Sequence, residues 1–455
     1  MRSLTSLVHG DGLFARILRS SALTVLGFGG AQALRLVSNL ILARLLFPEA
    51  FGLMAIVNVV LQGLMLFSDV GISPAIMQSR RGDDRAFLDT AWTLQALRGA
   101  VLFLIACALG WPLALFYGEP ILAQLLPVAG LSLLVTGFSP TALETAKRHL
   151  RWGRLTAIDF AVQITGIVIA LALAWWWHSV WALVVSGVAS SALALTLYHL
   201  LLPDPRNRFR IERPALRELV TFGKWIFLST ICGFVFQQAD KLIFARTLPL
   251  DVFGIYNIGF FLASFPALLG NLFTWRLLVP IYRELPPGES AANFAKLRRL
   301  RFAVTGGLLA LTAVFAFAGS WLVEILYDER YALAGGVVVV MAVMQIPQIV
   351  VMTYDQAALA AGDSRRFFFL RLAMAAAMVA ALLTGLRAGG LLGGLIGYGA
   401  AMVLAYPAVV WLARRMRAWD PWHDLSMIVL GGGLAALVLW LDGAGLAGLA
   451  AVSGW

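Results

Sequence analysis

The 455-residue sequence predicts an all-α polytopic membrane protein, with two six-helix lobes related by an internal repeat plus one or two C-terminal helices. Composition, the length of the apolar runs and the placement of the basic residues carry this reading. The chain is 60% hydrophobic and 13% charged, with a mean hydropathy of +0.84. A soluble chain holds about a quarter charged residues, and no globular core hides such an apolar excess. Spanning elements are helices or closed barrels, and barrel strands read as short alternating segments. The runs here are long, continuous and rich in Leu, Ala, Val and Gly, so the spans are helices. Soluble enzymes, zinc-finger proteins and secreted disulfide scaffolds are excluded.

The first 20 residues contain Arg2, Asp11, Arg16 and Arg19 and lack an apolar core with a small-residue cleavage site. No removable signal peptide is expected, and Leu13 to Ser20 reads as an amphipathic lead-in at the membrane surface. Apolar runs follow at 21–46, 51–76, 88–116, 120–142, 155–177, 180–202, 219–246, 253–281, 302–323, 332–358, 367–386, 390–412 and 425–441. The last apolar piece, Gly443 to Trp455, would rise only about 20 Å as a helix against a hydrocarbon core of ~30 Å. It reads as a partial span, a surface segment or a truncated fourteenth helix.

Lys and Arg fix the direction. With the N-terminus inside, the cytoplasmic gaps hold Arg80, Arg81 and Arg85, then Lys147, Arg148, Arg151 and Arg154, then six basic residues from Arg206 to Lys224. They go on with Arg283, Lys296, Arg298, Arg299 and Arg301, then Arg365, Arg366 and Arg371, then Arg414, Arg415 and Arg417. The opposite side has only Arg44, Arg246, Arg330 and Arg387. This strict alternation predicts a cytoplasmic N-terminus. It also accounts for the net charge of +11, which in a soluble protein would raise nucleic-acid binding. No nucleic-acid partner is expected. Residues 21–202 then form an N-terminal lobe, 203–218 a basic cytoplasmic linker, 219–412 a C-terminal lobe, and 413–455 the additional helix or helices. No gap is long enough for a soluble catalytic domain. Cys107 and Cys232 lie inside apolar runs and read as packing residues.

The repeat has an offset of 202 residues. Leu42 to Leu53 aligns with Phe244 to Ile255, and both copies give Ala-Arg, an acid five positions after the Arg, then Phe-Gly. The glycine is expected to permit a tight helix-to-helix turn, with the arginine and the acid paired across it. An offset of six spans gives both halves the same orientation, the parallel-repeat plan of several transporters, with a substrate path between halves.

Four basic residues fall within spans: Arg35, Arg98, Lys241 and Arg276. Each costs about 2.5–3.5 kcal/mol at a helix centre on insertion scales, so they are expected to face a hydrated cavity or a partner, with snorkelling to an interface as the alternative for Arg98 and Arg276. Gln32, Arg35 and Asn39 share one face of the first helix, and the repeat places Gln237 and Lys241 at the positions of Arg35 and Asn39. Asp69, Asp240 and Asp355 are the titratable candidates for ion coupling, with structural ion pairing as the alternative for Asp69 and Asp240. A positive lumen suits an anionic cargo, because arginine pairs phosphate with two hydrogen bonds. There is no Gly-x-x-x-x-Gly-Lys-Ser/Thr loop, and the five histidines lack metal-ligand spacing. No metal and no cofactor are expected beyond H+ or Na+ coupling.

At Leu42 to Leu53, running on to Asp69-Val70-Gly71-Ile72-Ser73-Pro74-Ala75, and at Ala361-Gly362-Asp363-Ser364-Arg365, the sequence resembles Wzx-type bacterial polysaccharide flippases. These belong to the multidrug/oligosaccharidyl-lipid/polysaccharide (MOP) exporter superfamily. The resemblance implies a V-shaped bundle in the bacterial inner membrane that alternates between inward- and outward-open states. It implies a cargo of undecaprenyl-diphosphate-linked oligosaccharide moved from the inner to the outer leaflet, with polysaccharide polymerase and chain-length proteins as partners. Arg35, Arg98, Lys241 and Arg276 would hold the diphosphate and sugars. A lipid II flippase and a cation-coupled multidrug antiporter are the alternatives within the superfamily. An intramembrane glycan-processing enzyme is the rival from another class; it predicts a clustered acid/base pair near an interface, for which the acids of the outer gaps, Glu324, Asp328 and Glu329, are the candidates.

Overall fold

The computed structural model describes residues 13–68, 71–149, 151–202, 207–216, 224–274, 278–354, 357–358 and 363–452. In chain order the helices are α1 (Leu13–Leu45), α2 (Pro48–Phe67), α3 (Ile72–Gln78), α4 (Arg85–Tyr117), α5 (Leu122–Gly137), α6 (Ala142–Arg148), α7 (Trp152–Trp177) and α8 (Trp181–Leu201). They continue as α9 (Lys224–Thr247), α10 (Leu250–Ala263), α11 (Phe265–Phe273), α12 (Val279–Glu284), α13 (Ala291–Leu326), α14 (Leu333–Met344) and α15 (Ile346–Val351). The last are α16 (Ser364–Arg415), α17 (Pro421–Leu441) and α18 (Gly443–Ala450). No strand occurs among the described residues. Among the described residues eight helical segments, counting 329–351 as one, are long and apolar enough to cross a membrane, or up to ten if each bent pair counts as one span. The chain is an all-α polytopic membrane protein.

Two compact units emerge. One takes in the chain up to Leu46, Ile72–Val101 and Leu131–Leu216; the other takes in Phe47–Gly71, Leu102–Gly130 and everything from Arg217 on.

In the first unit Phe160 of α7 lies 3.5 Å from where a Cβ on Gly30 of α1 would sit. Gln163 Nε2 donates to the Ala31 carbonyl at 2.7 Å. Leu13 to Ser20 form the opening turns of α1 with no break before the span. Small residues let α4 and α5 touch backbone to backbone at Gly99 and Gly137. Part of the basic linker, 207–216, is strapped to the start of α4. The Arg208, Arg210 and Glu212 amides donate to Asp89, Thr93 and Thr90, each at 3.0 Å. Trp175, Trp176 and Trp177 are exposed at the end of α7, as interfacial tryptophans are.

In the second unit several apolar runs bend where the sequence reading had unbroken spans. The run 253–281 bends by 48° between α10 and α11, and 332–358 breaks at Gln345 between α14 and α15. Proline explains both: Pro266 and Pro347 occupy the first turn of the following helix, where the missing N–H is harmless. The runs 367–386 and 390–412 are joined directly within α16, whose backbone leaves the helical region at Gly389 and Gly390. Gly390 has φ 55° and ψ −140°, a conformation essentially reserved for glycine. The two arms fold back on each other through Gly385, Gly393 and Gly397, where backbone meets backbone. The last apolar piece supplies the eight-residue α18, whose Leu449 packs at Gly336 of α14.

The repeated Phe-Gly segments correct one expectation. α2 and α10 start at Pro48 and Leu250, each after an extended residue, Phe47 or Pro249. Gly52 and Gly254 lie inside these helices rather than in turns. Their lack of a side chain serves close approach: a Cβ on Gly52 would stand 2.7 Å from the Leu250 carbonyl oxygen, and one on Gly254 would overlap the Pro48 carbonyl. Nor does the second copy's arginine pair with Asp251; the Arg246 guanidinium lies 5.8 Å from the centroid of the Phe116 ring.

A buried polar network ties α17 to the rest of the unit. Arg298 Nε and Nη2 donate to Asp420 at 2.5 and 3.0 Å. The Asp420 side chain also accepts from the His423 amide and caps α17. Arg301 is 1% exposed; it donates to Tyr282 Oη at 2.6 Å and lies 4.6 Å from the Tyr354 ring centroid. Asp424 accepts from Tyr354, Tyr406 and Trp419, and His423 joins it to Thr305.

Candidate substrate site

Within the second unit a cavity of ≈ 300 Å³ forms among α9, the α10–α11 bend, the α14–α15 break and α16. Helix periodicity places Gln237, Gln238 and Lys241 of α9 on its wall. The two breaks bring in Ser264 and Gln345, and the following turns add Asn271 and Gln348. Arg371 and Tyr398 complete the polar lining from the two arms of α16.

Lys241 is held in place. Its Nζ donates to Gln238 Oε1 at 2.9 Å, and Gln238 Nε2 in turn donates to Gln62 Oε1 of α2 at 2.9 Å. The ammonium also lies 5.2 Å from the Phe260 centroid, within cation–π range. Arg371 lies 4.9 Å from the Phe367 ring. Tyr398 Oη donates to Gln348 Oε1 at 3.4 Å. Two cations, a row of amides and aromatic faces give the cavity the chemistry to hold an anionic, hydroxyl-rich ligand.

Asp240, the neighbour of Lys241, points away from the cavity. It is 0% exposed, one carboxylate oxygen accepts from Tyr256 Oη at 2.5 Å, and the other has no hydrogen-bond partner.

Of the sequence candidates, Gln237 and Lys241 share this cavity. Gln32, Arg35, Asn39 and Arg98 belong to the first unit: Gln32 is buried, Arg35 exposed, and Asn39 and Arg98 half-buried. Arg276, Asp69 and Asp355 lie outside the described residues. The charge alternation places Arg371 among the cytoplasmic cations, although it sits inside the apolar run 367–386. That placement is the signal that would have found it. No cluster of three or more His, Cys, Asp or Glu suited to a metal occurs among the described residues.

The fold matches known transporters over almost its whole length. The lipid II flippase MurJ, in an inward closed conformation, aligns with a TM-score of 0.67 at 13% identity, covering 92% of this chain and 93% of that one. An inward-facing multidrug resistance MATE family transporter of the MOP superfamily aligns with a TM-score of 0.63 at 14% identity, covering 85% and 95%. In sequence, the succinoglycan biosynthesis transport protein ExoT of Rhizobium meliloti (strain 1021) is 26% identical over 56% of this chain and 53% of its own. The lipopolysaccharide biosynthesis protein WzxC of Escherichia coli (strain K12) is 23% identical over 58% and 54%. The match thus spans about half the length of these curated relatives. The family model described as polysaccharide biosynthesis protein matches residues 41–352, well over half of the sequence. Carrying the fold of the MOP transporters, the chain belongs to this polysaccharide biosynthesis protein family.

Proposed function

We propose that the protein is a flippase rather than an enzyme. It moves undecaprenyl-diphosphate-linked oligosaccharide repeat units from the inner to the outer leaflet of the bacterial inner membrane by alternating access. The observation that carries this is the cavity built around Lys241 and Arg371 inside a membrane helix bundle. A diphosphate cannot cross lipid unaided, because burying an unpaired ion is prohibitively costly. Fixed cations and amides replace its hydration while the polyprenyl tail stays in the bilayer. The names of ExoT and WzxC, both tied to polysaccharide biosynthesis, support a glycan cargo. Arg35, Arg98 and Arg276 are proposed as further contacts to the cargo. The alternating basic gaps support a cytoplasmic N-terminus, and polymerase and chain-length proteins are the proposed partners downstream. Asp240, buried with one unpartnered oxygen, supports coupling to H+ or Na+.

The test is leaflet transfer of a fluorescent undecaprenyl-diphosphate oligosaccharide in proteoliposomes, with an imposed proton or sodium gradient. Transfer by wild type that falls in Lys241→Ala supports the reading. Absence of transfer with both gradients and several glycans, alongside efflux of a cationic drug, would install the antiporter in its place.

A further inference from the structure

The first unit has a larger cavity that the transport reading does not use. It has a volume of ≈ 690 Å³ and opens among the starts of α4 and α7, helix α6, and the end of α8. Three spans end here on the side that the basic gaps assign to the cytoplasm. The site therefore lies at headgroup depth.

Its rim is cationic. Arg85, Arg151 and Arg154 line it and are exposed. Arg85 and Arg151 form no ion pair among the described residues. Arg154 Nη1 makes one long bond, 3.4 Å, to the Leu201 carbonyl. The lining acids are already engaged: Asp83 with Arg148 at 3.2 Å and His149 at 2.9 Å, and Asp89, 4% exposed, with the Arg208 amide. The opposite wall is apolar. Ala142, Ala146 and Leu202 line the cavity and belong to a buried cluster with Leu155 and Ile158. Leu200 and Leu201, next to the mouth, are 74% and 49% exposed. Three open guanidinium groups over an apolar wall at the end of three spans match an amphiphile with one phosphate, not a free ion.

We propose that this cavity holds the phosphate of an anionic phospholipid headgroup, with Arg85, Arg151 and Arg154 as its ligands and the wall at Leu202 receiving the start of the acyl chains. Arginine pairs phosphate oxygens with charge-assisted bonds, and basic pockets beside membrane helices recruit anionic lipids. A choline headgroup would bring a cation against the same arginines and is disfavoured.

The test is titration of delipidated full-length protein with dioctanoyl-phosphatidylglycerol, read as bound copies by native mass spectrometry. One copy should bind about tenfold or more weakly in Arg85→Gln/Arg151→Gln/Arg154→Gln, since the charge-assisted hydrogen bonds to the phosphate are lost. It should bind normally in Arg299→Gln/Arg365→Gln/Arg415→Gln, which removes equal charge from exposed sites elsewhere. If the triple variant does not fold, Arg151→Glu alone should show the same loss. Equal binding of dioctanoyl-phosphatidylcholine, undiminished binding in the pocket variants, or displacement by millimolar inorganic phosphate would each overturn the proposal, the last by revealing a free-anion site.

Discussion

Gly52 and Gly254 face each other across the crossing of α2 and α10, each beneath a main-chain carbonyl of the other helix. The carbonyl over Gly52 belongs to Leu250 and that over Gly254 to Pro48, so donor and recipient positions are both 202 residues apart. The contact is reciprocal, the form that two copies of one segment take when they pack about a local two-fold axis. Close backbone approach of this kind holds membrane helices together where apolar burial between them has no driving force.

The crossing leaves no room for a methyl group on Gly254. Gly254→Ala should therefore lower the apparent unfolding midpoint in detergent, with an overpacking cost of about 1–3 kcal/mol. Gly307, with nothing near its Cβ direction, is the control, and Gly307→Ala should leave the midpoint unchanged or raise it.

Lys241 sits in the cavity with its ammonium held by the hydrogen bond to Gln238. Lys241→Ala should reduce transport of a diphosphate-linked cargo about tenfold or more, the loss of one charge-assisted contact. Lys241→Arg should retain a measurable part of it. Equal transport by all three proteins would remove Lys241 from the cargo path.

Arg298 and the His423 amide hold the Asp420 carboxylate below the usual aspartate range, although burial, the largest single influence, pulls the other way. A carboxylate depressed in the fold stabilises above its unfolded value and loses that contribution as pH falls through the lowered folded value. The pair should therefore act in full at neutral pH and fade only below the ordinary range of aspartate, near 3.8. Because Arg298 is 42% exposed, water screens its side of the pair. Asp420→Asn should cost about 1 kcal/mol at pH 7, and the gap to wild type should narrow under strong acid. Unfolding midpoints of both proteins against pH would show this, and a gap independent of pH would contradict it.

The fold-back of α16 depends on Gly390. Gly390→Ala forces a Cβ into a glycine-only conformation and should cost about 1–3 kcal/mol. Gly389→Ala, at φ −158°, should cost less. Unfolding of the two variants side by side separates the effects.

Arg301 is a fully buried cation of the second unit, and Tyr282 and Tyr354 define its slot. Arg301→Ala should be destabilising, about 2–5 kcal/mol, because it empties a buried slot against Tyr354 and leaves Tyr282 Oη without its donor. Arg301→Lys should rescue only partly, since an ammonium lacks the flat face that lies against Tyr354.

That the chain is built of apolar membrane helices was legible because a bilayer constrains sequence severely, whereas the thirteen apolar runs did not give the eight to ten span-competent helices found among the described residues, since proline and glycine break or join several runs. Every stretch in lipid must be apolar and must satisfy its own backbone, and this leaves a pattern any reader of the chain can follow. Lys241 and Gln237 were legible for the same reason, since polar groups inside apolar runs need a place to go. The repeated Ala-Arg and Phe-Gly segments were visible too, but their use was misjudged, because a glycine in a turn and a glycine at a crossing look alike in sequence.

What only the tertiary structure decided is which residues meet. That Lys241 joins Arg371, Gln345 and Tyr398 depends on the bends at Ser264 and Gln345, where proline ends one helix and starts the next at a new angle. Asp240 and Lys241 are adjacent in sequence yet one enters a closed core and the other a cavity, because successive residues on a helix point about 100° apart. Polarity and period along the chain determined what kind of molecule this is. The packing of helices, which brings together residues more than a hundred positions apart, determined where its charges face.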